Sequence, residues 1–394
     1  VALLCMLLAI DNDFQTCLMA PTEILAMQHY TGIEELLAAM PIEIGYLSGK
    51  TKAKDRKILL SRLQSGDLKI LIGTHALIED KVTFKNLGLC IIDEQHRFGV
   101  AQRAKLYDKN TLPPHILVMT ATPIPRTLAM TSYGDLEVSV IKEMPPGRKP
   151  ISTVHRPEMY RAKVMDFIKS EIAQGRQIYI VYPLIAESEK LDYENLYAGY
   201  EQVKQFFPDH LYQIAMVHGK QTQEEREQNM QSFVKGKAHI LVATTVIEVG
   251  VNVPNASVMV IESAERFGLS QMHQLRGRVG RGAEKSYCIL LTGQKLSAVG
   301  KERIHTMVQE TSGFAISEKD LLLRGPGEID GIRQSGAADL KIADIIKDVE
   351  LMAITRKAAI DILQKDSNLE NEENQSLRNY LLSRKEKEIW SRIS

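Results

Sequence analysis

The chain has 394 residues, 44% of them hydrophobic and 25% charged, with 49 basic residues against 49 acidic ones. That length and balance fit a globular protein of two or three domains. Zero net charge excludes a polybasic binder that grips nucleic acid by bulk charge, though it leaves a local basic site open. Four scattered cysteines (Cys5, Cys17, Cys90, Cys288) without a C-x-x-C pair exclude a zinc ribbon and a disulfide framework, and suit a reducing, cytoplasmic setting.

Residues 1–10 form an apolar run stopped by Asp11, too short to span a bilayer and without the basic flank of a signal peptide. No membrane role is expected. Because the chain opens on Val1 within an apolar run, we read it as a fragment whose upstream part is missing. Short runs rich in β-branched residues follow at 16–20, 69–72, 87–92 and 115–119, each ending in small or polar residues. These predict buried strands of a parallel sheet. Residues 53–63 carry helical spacing, with Gly66 as C-cap.

Three prolines and a glycine in residues 144–150 break the alternation and predict a linker. Strands are predicted again at 177–182, 214–217, 239–243, 257–261 and 287–291, with helices at 159–174 (capped by Gly175) and 224–233. Two α/β units in succession predict two similar sheets, a repeat of architecture rather than of sequence. Beyond Gly293 the strands stop. Residues 302–310 read as helical, 324–336 as glycine-rich and 342–363 as amphipathic; 366–375 are polar and precede a short helix ending near Trp390.

The sharpest local signal is Asp93-Glu94-Gln95-His96 at the end of a predicted strand, where α/β sheets bind ligands. In nucleotide hydrolysis the first acid can hold Mg²⁺, usually through water, while the second polarises the attacking water. A solvated turn would use the same residue types. On a neighbouring strand, Thr120-Ala121-Thr122-Pro123 offers two hydroxyls to the acids, or a plain turn before proline. Gln274 through Gly282 interleaves Arg276, Arg278 and Arg281 with glycine, as arginine fingers for a phosphoryl group or as a basic loop on nucleic acid. An acid in one unit and arginines in the other complete a site only when the two close together, the design of a nucleotide-driven motor.

Ala20-Pro21-Thr22-Glu23, Gly73-Thr74-His75-Ala76-Leu77, Asp93 through Gly99, Thr120 through Arg126, Thr244 through Gly250 and Gln274 through Arg281 resemble the ordered motifs of superfamily 2 helicases. More narrowly, Tyr133-Gly134-Asp135-Leu136, Pro145 through Pro150 and Tyr182 through Ser188 resemble the RecG family of bacterial DNA helicases. Arg324-Gly325-Pro326-Gly327-Glu328 with Arg333-Gln334-Ser335-Gly336 resembles the translocation motif which that family shares with transcription-repair coupling factors.

The resemblance implies two tandem RecA-like parallel-sheet domains (1–147 and 148–296) and a small, mostly helical C-terminal module (297–394). It implies an ATP-driven double-stranded DNA translocase that remodels stalled forks and Holliday junctions in recombination and repair. Asp93 would serve Mg²⁺ and Glu94 the hydrolytic water; Gln274, Arg278 and Arg281 would reach the phosphates, with Gly250 and Asn252 also at the nucleotide. Thr22, Thr74, His75 and Thr245 would face DNA, while Thr120, Thr122, Arg324, Arg333 and Gln334 would couple hydrolysis to movement. Forked or branched duplex DNA is the expected partner, single-strand-binding or replisome proteins are further candidates, and a monomer is favoured.

The chain departs from this pattern in two places. The family's phosphate loop, G-x-x-x-x-G-K-[ST], is not found: Gly49-Lys50-Thr51 has Ile44 where the first glycine belongs, and reads as a surface turn. The family's loop would fall just upstream of Val1, and the wedge domain upstream again, so the fragment by itself is expected to be unable to turn over ATP. At Asn252 the superfamily usually carries Asp, so the hydrogen bonding is kept and the charge is lost. The alternatives are a relative that strips stalled polymerase from DNA and, for the isolated fragment, a non-catalytic module binding DNA or a partner protein. His29, His155, His210 and His305 carry no usable pattern.

Overall fold

The computed structural model describes residues 1–94, 106, 109–110, 112–120, 138–141, 143, 149–184, 189–244, 253–282, 285–324 and 348–384. Two compact units emerge: Val1–Val140 together with Arg324–Ser394, and Ile141–Leu323.

The first unit is built on five parallel strands, β1 (Gln15–Met19), β2 (Ile44–Leu47), β3 (Ile70–Gly73), β4 (Leu87–Asp93) and β5 (His115–Met119), in the order β2-β3-β1-β4-β5. Parallel strands need crossover connections, and helices α1 (Ala2–Asp11), α2 (Glu23–Leu36) and α3 (Ala53–Ser65) alternate with the first three. The apolar opening run is therefore helical, with Met6 as its buried residue. Thr22 caps α2 by accepting from Leu25 N–H, and Gly66 ends α3 in the left-handed region at φ 88°, as its sequence position predicts. Strands β1 and β3 are buried along their whole length, which is why β3 and the end of β1 read as apolar runs.

The second unit carries six parallel strands: β6 (Ile151–Pro157), β7 (Gln177–Val181), β8 (Ile214–Val217), β9 (Ile240–Ala243), β10 (Ala256–Ile261) and β11 (Ser286–Thr292), ordered β6-β11-β10-β7-β9-β8. Its helices are α4 (Arg161–Ala173), α5 (Glu189–Phe206), α6 (Gln223–Val234), α7 (Leu269–Arg276), α8 (Ala298–Gln309) and α9 (Gly313–Arg324). Strand β6 escaped the sequence reading because it lies at a sheet edge, half-buried, and its polar residues interrupt any apolar run. At the C-terminus, α10 (Val349–Lys365) and α11 (Gln375–Arg384) are joined by a turn in which Asp366 accepts from Glu370 N–H, Asn371 N–H and Asn374 Nδ2. Trp390 lies outside the described residues.

Contrary to the expectation of architecture alone, the repeat extends to the sequence. Aligned without a gap, 44–74 and 214–244 share Ile44/Ile214, Gly49/Gly219, Lys50/Lys220, Arg56/Arg226, Gly66/Gly236, Ile70/Ile240, Leu71/Leu241 and Thr74/Thr244. The strand registers coincide as well, Ile44 opposite Ile70 and Ile214 opposite Ile240. A buried glutamine opens the equivalent strand of each unit. Gln15 donates to the carbonyls of Leu63 and Leu68 at 2.8 and 2.7 Å, and Gln177 to those of Phe233 and Ala238 at 2.6 and 2.9 Å. Gln15 Oε1 also accepts from Lys85 and Asn86 N–H, so its amide satisfies four backbone groups. Gln15→Leu is expected to strand them and lower stability by about 3 kcal/mol, read by urea denaturation.

Candidate functional site

In the first unit every described candidate residue lies at the carboxyl ends of the strands, on one edge of the sheet. Thr22 follows β1, and its hydroxyl is engaged in capping α2. Thr74 follows β3, is 2% exposed, and has a buried hydroxyl with no hydrogen-bond partner. Its neighbour His75 is exposed. The preceding Gly73 is dictated by close approach: a Cβ there would stand 2.0 Å from the Leu47 carbonyl oxygen, the acceptor for Thr74 N–H.

Asp93 ends β4 opposite Met119 of β5, so Thr120 directly follows the residue paired with the acid. Glu94 is held at φ 53°, a left-handed conformation that costs a non-glycine residue about 1 kcal/mol or more. Its N–H donates to the Met119 carbonyl and to Asp93 Oδ1, both at 3.0 Å. Asp93 Oδ2 accepts from His29 Nε2 at 2.8 Å, across from helix α2. His29 is a residue the sequence reading passed over.

This donor set suits Mg²⁺. The Asp93 carboxylate is a hard oxygen donor whose side chain stays 17% exposed. Magnesium characteristically takes one or two carboxylates plus phosphate and water, rather than an all-protein cage.

In the second unit, α7 holds Gln274, half-buried, and the chain then turns through Gly277, Gly280 and Gly282. The three arginines separate into two kinds. Arg276 is buried and donates to the carbonyls of Met307 and Glu310 at 3.0 and 2.8 Å, tying α7 to the end of α8. Arg278 is 6% exposed, whereas Arg281 is exposed with its Nε donating to the Gly277 carbonyl. Gly280 makes the turn at φ 76°, and a Cβ there would meet Ile151 Cγ1 at 2.8 Å. Gly280→Ala is expected to cost about 2 kcal/mol in urea unfolding and to displace Arg281. Sequence reasoning also missed Asp320 of α9. Buried at 4% exposure, it caps α7 by accepting from Leu269 N–H at 3.2 Å and Ser270 Oγ at 2.7 Å.

The strand registers place a second acid at the sheet position of Asp93. Met19 pairs with Ile92 as Val181 pairs with Ile261, which makes Glu262 the counterpart of Asp93. Glu262 is sealed, however: its side chain is 3% exposed, and Arg161 grips both oxygens at 2.6 and 2.8 Å. Burial pushes the Glu262 carboxyl up and the guanidinium opposes the shift. Thr244, the counterpart of Thr74, is again fully buried with an unpartnered hydroxyl.

Gln95, His96, Thr122, Thr245, Gly250, Asn252, Arg333 and Gln334 lie outside the described residues. Arg324 closes helix α9. The four cysteines are free, and burial pushes the Cys288 thiol up to about 12, leaving it inert. No helix among the described residues is long and apolar enough to cross a membrane.

Comparison with known proteins agrees with the two-unit fold. Residues 1–131 match the DEAD/DEAH box helicase family, 161–283 the helicase conserved C-terminal domain, and 310–394 the C-terminal part of domain 3 of the ATP-dependent DNA helicase RecG. The chain is 49% identical to the ATP-dependent DNA helicase RecG of Synechocystis, over 94% of this chain and 44% of that protein. It is 47% identical to that of Bacillus subtilis, over 97% of this chain and 56% of the relative. It thus spans about half the length of the curated relatives it matches. A solved structure of RecG bound to a three-way DNA junction superposes with a TM-score of 0.74 and 43% identity, covering 89% of this chain and 45% of that one. Yeast Dbp5 bound to RNA and ADP BeF3, at 15% identity and a TM-score of 0.53, shares the fold alone. With two parallel-sheet units and these relatives, the chain is similar, over nearly its whole length, to about half the length of the RecG helicases of superfamily 2.

Proposed function

We propose that the protein carrying this chain is an ATP-driven translocase on double-stranded DNA that remodels branched DNA in recombination and repair. The observation that carries this reading is the acidic pair: Asp93 and Glu94 at the carboxyl end of a central parallel strand, with Asp93 oriented by two hydrogen bonds. Residues 1–147 and 148–296 act as the motor domains and 297–394 as the module coupling them to the duplex.

Asp93 would hold Mg²⁺, and the ion would supply neutralisation of phosphate charge when bound. Glu94 orients the attacking water and accepts its proton. Gln274, Arg278 and Arg281 stabilise charge developing on the transferred phosphoryl group, and Gly250 and Asn252 contact the nucleotide. Thr22, Thr74, His75 and Thr245 meet the DNA backbone. Thr120, Thr122, Arg324, Arg333 and Gln334 link nucleotide state to movement. A few loops gripping phosphates need no net positive charge, in keeping with a neutral chain. The protein is proposed to work as a cytoplasmic monomer, with single-strand-binding or replisome proteins as further partners.

The test is ATP hydrolysis by the full-length gene product with Mg²⁺, with and without a forked duplex. Hydrolysis stimulated by the fork and lost in Arg281→Ala is expected; a rate indifferent to DNA would overturn the reading.

A further inference from the structure

Helix α2 gives the acidic pair a partner that no sequence pattern suggested. An ionised carboxylate can only accept hydrogen bonds, so the 2.8 Å contact requires His29 to carry its proton on Nε2 and donate it to Asp93 Oδ2. The other oxygen, Oδ1, accepts from Glu94 N–H at 3.0 Å. Two donors from two different elements, one on each oxygen, fix the carboxylate's rotation about its own axis. The side chain of Asp93 nevertheless stays 17% exposed, with lone pairs to spare for a metal-bound water.

His29 is itself well supported. Leu25, Ala26 and Ile33 of the same helix are buried against Ile70 and Ile72 of β3 and Leu89 and Ile91 of β4, so α2 is anchored to the strand that ends in Asp93. Groups held this way lose little further freedom when a ligand arrives.

The second unit provides the contrast. At the equivalent sheet position, Arg161 engages both oxygens of Glu262, whose side chain is only 3% exposed, and nothing is left for a metal. The single imidazole donor at Asp93 orients the acid and leaves it accessible.

We propose that His29 is a positioning residue for the metal-holding carboxylate of Asp93, an inference that rests on the nucleotide-hydrolysing reading above. Hydrogen-bond partners of metal-bound carboxylates typically change metal affinity or activity by about 10–100-fold when removed. His29→Ala in the full-length gene product is therefore expected to weaken Mn²⁺ binding by about 10-fold or more. The probe is Mn²⁺ titrated by electron paramagnetic resonance in the presence of a non-hydrolysable ATP analogue. In steady state the same variant raises the Mg²⁺ concentration needed for half-maximal hydrolysis, while the KM for ATP at saturating Mg²⁺ changes little. His29→Gln places an amide N–H near the position of Nε2 and restores most of the Mn²⁺ affinity, which a purely structural role for the ring would not predict.

Circular dichroism melts of both variants show whether either has failed to fold, and in that case the comparison passes to His29→Asn, whose shorter amide falls short of Asp93 and should behave as His29→Ala. Unchanged or tighter Mn²⁺ binding in a folded His29→Ala overturns the proposal, the tighter result marking His29 as a competitor of the metal. If the unaltered protein binds neither Mn²⁺ nor the nucleotide analogue, the hydrolytic reading itself falls, and the role of His29 with it.

Discussion

Replacing Glu94 with Gln is expected to lower fork-stimulated ATP turnover by about 100-fold or more while nucleotide still binds. Loss of a positioned general base typically costs 10²–10⁴ in rate. The amide keeps the length and shape of the side chain, and the backbone bond from residue 94 to the Met119 carbonyl is untouched. It cannot accept a proton from water, so the loss falls on kcat. Glu94 also sits at φ 53°, where its side chain carries a conformational cost. An acid kept in that conformation fits a demand for its carboxylate at this point. The measurements are steady-state hydrolysis with a forked duplex and fluorescence titration of a nucleotide analogue. A variant with unaltered turnover would remove Glu94 from the mechanism.

Arg161→Met is expected to cost about 3–5 kcal/mol of stability at neutral pH, the loss usual when one partner of a buried ion pair is removed. The side chain of Glu262 is 3% exposed and both of its oxygens are held by Arg161, so the variant leaves a buried carboxylate without its cation. The sign with pH follows from burial, which pushes the Glu262 carboxyl up. A carboxyl raised in the folded state binds its proton more tightly there than in the unfolded chain. The instability of the variant therefore grows as pH rises through and above the ordinary carboxylate range, and shrinks as pH falls below it. Urea denaturation at neutral and mildly acid pH reads both effects. Arg161→Met with Glu262→Gln should recover part of the loss, because no charge then remains to be buried. A pH-independent cost would point to lost packing of the arginine stem instead.

The sealed pair bears on function too. The two units descend through the same strand order around β1 and β7, and each presents an acid at the same sheet position. Only Asp93 remains accessible, which concentrates the proposed metal chemistry in the first unit. The glutamines Gln15 and Gln177 at the opposite ends of these strands are retained in both units, because each satisfies backbone groups that any such fold must bury.

Much of this was legible in the chain alone. Buried parallel strands are largely apolar runs, so β1, β3, β4, β7, β9, β10 and β11 stood out, the acids because they end one such run and the arginines because they interleave with glycine. Local chemistry also placed the Gly66 cap and the glycines of the arginine loop. What sequence order does not carry is which distant residues meet. His29 and Asp93 are 64 residues apart, and Arg161 and Glu262 are 101 apart. Only folding showed that Arg276 is a tie between helices while Arg281 is exposed, although the two stand in the same arginine-glycine run. Motif and periodicity are local properties of the chain and can be read along it. Whether a charge is sealed, oriented or left accessible depends on the low-dielectric surroundings and partners that packing brings to it, and those exist only in the tertiary structure.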